Sequence, residues 1–279
     1  CSSSASYQSR KKKQKNSTPA GDAMRFRHLS GLADLFPSGF GVKGVNPEFS
    51  GKMDFVSRVV KSMIRTTDDR LVLVSNYTQA LSALEHVFDQ NRVRHIRLDG
   101  SVSTSRRQKI VNEFNAPNSP FRVLLLSSKA GGCGLNLIGA NRLIMFDPDW
   151  NPANDLQAMA RVWRQGQKKK VFIYRLLSTG TIEEKMFQRQ LFKTGMANAV
   201  MEEDREEKIA AFAVQEFKDI FKYNSKTLCD TQDRAKGGFT EWKRRRGVEG
   251  ADDHCLREAG QQIVSYLFCR YYKCKPNYV

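Results

Sequence analysis

The sequence predicts an α/β fold, a parallel sheet covered by helices on both faces. Three observations predict it. Short apolar runs, LVLVS at residues 71–75 the clearest, alternate with segments whose apolar residues recur at helical spacing. The runs are apolar throughout instead of alternating with polar residues, as strands buried on two sides are. Each run opens into a loop (residues 75–78, 99–103, 127–139 and 147–151), and ligands sit beyond the carboxyl ends of the strands in such sheets. The pattern leaves the strand order open.

The elements follow in order. Phe55, Val56, Val59, Val60 and Met63 set a helical period that starts near Gly51 and ends in the polar turn TTDDR. A first strand over 71–75 is followed by a helix burying Leu81, Leu84, Val87 and Phe88. A second strand over 95–98 closes at Asp99 and Gly100. Ser103 or Thr104 then caps a helix burying Ile110, Val111 and Phe114. Residues 121–126 and 142–146 make a third and a fourth strand. Asn151 caps the next helix, Pro152 suits its first position, and Gly166 lies just past its end. On that helix Leu156, Ala160 and Trp163 form an apolar stripe, with Gln157, Arg161 and Arg164 as a polar stripe beside it. Residues 171–177 make a fifth strand. A long helix over 181–200 opens with acidic residues that suit the positive end of its dipole.

The flanks differ in composition. Residues 1–23 read as a basic disordered tail, where RKKKQK is a nuclear localisation signal, a loose phosphate contact or a solvated run. Residues 24–50 are a connector, 51–200 the α/β lobe, and 201–279 a helical extension with an unassigned basic tail. The chain carries 46 Lys and Arg against 29 Asp and Glu, a formal charge of +17. That excess selects a polyanionic partner, nucleic acid before a ribosome-like or membrane-surface role. No apolar run approaches the ~18 residues of a membrane span. No signal peptide is visible, and an opening at Cys1 is read as a fragment or an incomplete gene model. The six cysteines form no C-x-x-C pair. Cys255, Cys269 and Cys274 with His254 would only just suffice for a metal, and free thiols are the plainer reading.

The chemistry-bearing residues lie after strands. Arginines along one face suit phosphate, against the plainer reading of two surface arginines. Glycine permits close backbone approach, so the loop Ser127, Ser128, Lys129, Ala130, Gly131, Gly132, Cys133, Gly134 offers N–H groups to a phosphate, or else merely connects. Asp147 reads as a buried carboxylate that orients an arginine or backbone, and Trp150 as core sooner than a base-stacking platform. A G-x-x-x-x-G-K-[ST] loop and a strand ending in paired acids are both absent. This chain alone is therefore expected to bind nucleotide poorly and to turn it over little.

The blocks SSKAGGCGLNL, FDPDWNP and QAMARVWRQGQ resemble the second RecA-like lobe, the helicase C-terminal domain, of the SWI-SNF class of superfamily-two ATPases. LVLVSNYTQ and RLDGSVSTSRRQKIVNEFN are similar to two earlier motifs of that lobe and stand in the right order. The wording SNYTQ, SSKAGGCGLNLIGANRLIMFDPDWNPAND and YRLLSTGTIEEKMFQRQ is most similar to the recombination-repair translocases of that class, and LFPSGFGVKGVNPEFSGKM extends the likeness upstream. It covers about residues 51–200.

The resemblance implies a motor of two RecA-like lobes that hydrolyses ATP with Mg2+ at their interface and moves along double-stranded DNA. It implies a RecA-type recombinase filament and chromatin as partners, and action in the nucleus. Arg161 and Arg164 match its catalytic arginine fingers, and Gln157 opens that motif. Ser127, Ser128, Lys129, Gly131, Gly132, Gly134 and Asn136 match the loop that couples DNA to nucleotide. Gly100 and Arg107 match a DNA-backbone block, and Asn76 and Gln79 the first block of the lobe. The family's first lobe is not within the 279 residues, and the likeness fades soon after CDTQDR, where relatives continue into a zinc-binding tail. The expected function is part of an ATP-dependent double-stranded DNA translocase of homologous recombination. The rival is a non-catalytic DNA- or nucleosome-binding module.

Overall fold

The computed structural model describes residues 45–130, 134–199, 220–227, 229–231 and 253–260. The basic tail, most of the connector and much of the C-terminal extension lie outside them, as do Gly131, Gly132, Cys269 and Cys274. In chain order the elements are α1 (Gly51–Thr66), β1 (Leu71–Ser75), α2 (Thr78–Gln90), β2 (His95–Leu98), α3 (Thr104–Asn115), β3 (Val123–Ser127) and β4 (Arg142–Met145). They continue with α4 (Pro152–Met159), β5 (Phe172–Arg175), α5 (Ile182–Ala199) and α6 (His254–Gly260). The five strands form one parallel sheet in the order β2-β3-β1-β4-β5. This is the RecA-like architecture expected.

Alternation along the strands explains the two cores, because successive side chains point to opposite faces. Leu71, Leu73, Leu125 and Ile144 meet the apolar sides of α1 and α2 on one face. Val72, Val74, Leu124, Leu126, Leu143 and Met145 meet Ile110, Val111 and Phe114 of α3, together with Met159 and Val162, on the other. Each such side chain contributes about 1.5–3 kcal/mol on burial, so both faces must be covered. Cys255 and Leu256 of α6 join the first core. Glu258 accepts from Ser62 and pairs with Arg65, tying α6 to α1.

Local signals set most helix ends. Ser50 Oγ accepts from Met53 N at α1, and Asn151 Oδ1 accepts from Ala153 N at α4, where Pro152 occupies the first turn. Ser103 occupies the cap position of α3, but its hydroxyl makes no capping bond.

The arginine-bearing helix is shorter than its sequence predicts. α4 stops at Met159, and Arg161 N and Val162 N then donate to Ala158 O and Met159 O in tight turns. Leu137 N donates to Arg161 O at 3.0 Å, tying this turn to the loop after β3. Gly166 is left-handed (φ 95°), but it closes that turn and not the helix. The buried side is Asp155, Met159 and Val162, because Arg175 and Gln190 draw the Asp155 carboxylate inward. The predicted apolar stripe is therefore corrected: Leu156, Ala160 and Trp163 face outward, Leu156 being 53% exposed. Trp150, read as core, is 46% exposed.

Candidate functional site

β1 lies at the middle of the sheet, and the chain leaves it for β2 on one side while β4 leads to β5 on the other. Loops that diverge in this way open a crevice at the carboxyl ends of the strands. Here it is a cavity of about 500 Å3, lined by the ends and loops of β1, β3 and β4 and by α4.

Beneath its rim, the buried carboxylate of Asp147 accepts from Ser75 Oγ and from Asn76 N at 2.8 Å. Burial is the largest influence on it and holds its pKa above the usual range despite those bonds and the nearby Lys52. Lys52 itself donates to Phe146 O at 2.7 Å and pairs with Glu183 at 2.6 Å, while desolvation draws its pKa down. Asp147 thus orients backbone and hydroxyl groups, one of the roles its sequence position predicts. Asn76 bridges the three loops: its Nδ2 donates to Pro148 O, and its Oδ1 accepts from Ser128 Oγ.

α4 brings the remaining groups. Asp155 accepts from Arg175 Nη2 at 2.6 Å, Gln190 Nε2 at 2.8 Å and Asp149 N at 3.2 Å. This buried knot joins α4, β5, α5 and the loop after β4, and holds Gln157 and Arg161 on the cavity wall. Burial keeps the Asp155 carboxyl above its usual range, against the charge of Arg175. The side chains of Lys129, Gln157 and Arg161 have no partner among the described residues.

Of the residues singled out in the sequence, Asn76, Ser128, Lys129, Gln157 and Arg161 converge on this cavity. Trp150 lines it too, while Gly131 and Gly132 lie outside the described residues and the remaining described ones do not line it. Arg164 is exposed beyond it, and Ser127 is buried at the end of β3. Gly134 is left-handed (φ 65°) and exposed. Asn136 is exposed, its carbonyl accepting from Asn115 Nδ2 at 2.7 Å. Gln79 is exposed on the first turn of α2. Arg107 Nε donates to Val102 O at 2.9 Å, and a Cβ at nearby Gly100 would meet open space. The sequence reading missed Tyr77, Asp149 and Asn154, which stand on the wall, and the Arg175 and Gln190 supports beneath it. Tyr77 and Asp149 lay in loops already marked by their place after strands. Arg175 and Gln190 lie in the block YRLLSTGTIEEKMFQRQ, but nothing local marked them as supports of the site.

Cations without acceptors attract anions, and the fork of a guanidinium suits phosphate. The carboxylates nearby are engaged, Asp147 as described and Asp149 by Asn151 N. Among the described residues no cluster of three or more metal-ligating side chains occurs.

A five-stranded parallel RecA-like sheet with a cavity at its carboxyl edge is the architecture of a helicase C-terminal lobe. Residues 51–166 match the helicase conserved C-terminal domain, and the chain belongs to that family, as a lobe of the SWI-SNF type. It is similar to the "DNA repair and recombination protein RAD54-like" of Gallus gallus, with 46% identity over 261 residues, 85% of this chain and 35% of that protein. The Danio rerio protein of the same description is 54% identical over 206 residues, 74% of this chain and 28% of that protein. The Homo sapiens one is 53% identical over 207 residues, 73% and 27% respectively. The chain therefore spans about a third or less of the length of these relatives. Among solved structures, the C-terminal part of the Fun30 ATPase domain superposes with a TM-score of 0.51 at 35% identity, covering 58% of this chain and 53% of that one.

Proposed function

We propose that this chain supplies the arginine-bearing, DNA-facing half of an ATP-dependent double-stranded DNA translocase acting in homologous recombination and double-strand break repair. The observation that carries the reading is the grouping of Lys129, Gln157 and Arg161, cations and amide without partners among the described residues, on one cavity at the strand ends. These residues fit the phosphate side of a nucleotide. They do not fit its Mg2+, since the carboxylates beside them are already engaged. ATP supplies a γ-phosphoryl group whose transfer builds negative charge, and a first lobe holds most of the nucleotide and its metal. Arg161 and Arg164 neutralise that charge, and Gln157 orients water or a phosphate oxygen. Ser127, Ser128, Lys129, Gly131, Gly132, Gly134 and Asn136 couple this centre to the DNA backbone, which Gly100, Arg107, Asn76 and Gln79 also approach. The names of the relatives support a setting in DNA repair, and with it a nuclear location and contact with a recombinase filament and chromatin.

The test joins the chain to a first lobe from a RAD54-like relative. DNA-stimulated ATP hydrolysis is expected, and Arg161→Ala or Arg164→Ala should lower it by about 10³-fold or more. A wild-type rate in both variants removes the finger assignment. A joined protein that binds duplex without hydrolysing ATP favours the non-catalytic module instead.

A further inference from the structure

Away from the cavity, residues 220–227 and 229–231 present a second surface with its own support. Ile220, Thr227, Cys229 and Asp230 are buried. Glu184, in the first turn of α5, accepts from Gly180 N at 2.6 Å, Thr179 Oγ1 at 3.0 Å, and Thr231 N and Oγ1, each at 2.8 Å. Burial pushes this carboxyl up, but those donors together hold it below its usual range. Lys185 pairs with Asp230, both buried. Asn224 N donates to Gly180 O at 3.0 Å, and a Cβ at Gly180 would lie 2.0 Å from Asn224 O. Gly180 is also left-handed (φ 67°), so glycine alone admits this close contact.

The frame displays two aromatic rings in place of burying them. Phe221 is 81% exposed and Tyr223 72%, the two most exposed large hydrophobic residues among those described. Lys222 lies between them and Lys226 follows, and the sequence from Ile220 to Leu228 holds no carboxylate, with Asp219 and Asp230 standing just outside it. Asp230 is neutralised by Lys185. Rings interleaved with lysines suit an unpaired nucleic-acid strand, whose bases stack on the rings while its phosphates meet the ammonium groups. A duplex hides its base faces and offers the lysines only phosphate. An acidic peptide engages the lysines and leaves the rings without a stacking partner. We propose that residues 221–226 bind single-stranded nucleic acid, at a site separate from the cavity and independent of the role assigned to it.

The full chain is titrated with fluorescein-labelled oligo(dT) and with duplex of equal length, by anisotropy, at low and high salt. The double variant Phe221→Ala, Tyr223→Ala should weaken oligo(dT) binding about tenfold or more, while duplex affinity shifts by less than about twofold. Both rings are exposed, so its melting temperature should match wild type, and Tyr223→Phe, which keeps the ring, should bind normally. Lys222→Ala with Lys226→Ala should weaken both DNA forms and lower the oligo(dT) salt slope by about 1.4. Unchanged oligo(dT) affinity in the aromatic double variant overturns the site, and so does equal loss on both DNA forms. Loss confined to poly-glutamate binding overturns it too, and assigns the surface to an acidic peptide.

Discussion

The two ends of the same five strands use cationic side chains in opposite ways. At the amino ends the arginines have fixed acceptors. Arg70 donates to Phe114 O and Pro117 O, and Arg122 to Thr67 O and Asp69 O. Arg142, 2% exposed, holds Asp69 through Nε at 2.8 Å and Asp253 through both terminal nitrogens, with its guanidinium 4.7 Å from the centre of the Phe172 ring. At the carboxyl ends Lys129 and Arg161 stand on a cavity with no acceptor among the described residues. The amino end uses these arginines to hold the fold. At the carboxyl end Arg175 and Lys52 do the same through Asp155 and Glu183, but Lys129 and Arg161 are left without an acceptor among the described residues. What separates a binding arginine from a structural one here is the acceptor, which composition and spacing do not reveal.

The largest effect should come from breaking the saturated end. Arg142→Ala leaves Asp253 buried without its cation and Tyr174 Oη without that donor. Losing one partner of a buried pair costs about 3–5 kcal/mol, read as a fall in denaturation midpoint. Asp253→Ala should cost a similar amount, and the double variant less than both together, since groups in contact couple. Additive losses would mean that the pair is not a unit.

That contrast also marks what the sequence could tell. The apolar faces of α1, α2 and α3 were legible from Phe55, Val59, Leu81, Leu84, Ile110 and Phe114, because burial follows helical period. The start of α4 was legible from Asn151 and Pro152, because capping is local. Its end was not, because Asp155 is turned inward by Arg175 and Gln190, 20 and 35 residues further along the chain. The Arg142–Asp253 pair, 111 residues apart, left no trace either. Loop position and residue type drew Asn76, Ser128, Lys129, Gln157 and Arg161 towards the site. Their convergence on one cavity depends on a strand order that periodicity does not encode.

A smaller effect, opposite in sign at the two ends, concerns pH. Burial pushes Asp69 up, but Arg142 outweighs it and holds the carboxyl below its usual range. Its contribution to stability is therefore present above the unfolded value near pH 3.9 and lost as pH falls through the lower folded value. Asp147 is raised by burial, so the folded state holds its proton more tightly and stability falls as pH rises through that range. Asp69→Asn should be less stable than wild type at neutral pH, with the deficit closing in acid. Asp147→Asn keeps an acceptor for Asn76 N and sheds a costly buried charge. Its stability relative to wild type should be highest near neutral pH and decline on acidification. Denaturation at neutral pH, at about pH 4 and at about pH 2 reads both slopes, and parallel slopes would erase the difference between the ends.

The smallest effect on stability should fall on the residues most exposed to a ligand. Arg161→Ala and Lys129→Ala leave no described group without a partner, since none accepts from either side chain. The bond from Leu137 N to Arg161 O belongs to the backbone and survives the substitution. Removing a cation from a wall that carries another relieves repulsion, so each change should stay within about 0.5 kcal/mol of wild type. Lys129→Ala should nevertheless lower duplex affinity, with the salt slope dropping by about 0.9 for the phosphate left without its cation, whereas Arg161→Ala should lower ATP hydrolysis in the protein joined to a first lobe. The two measurements must separate. If Arg161→Ala costs as much stability as Arg142→Ala, the carboxyl end is a structural network like the amino end. If stability holds while ATP hydrolysis in the joined protein drops, that guanidinium acts on an anion instead of on the fold.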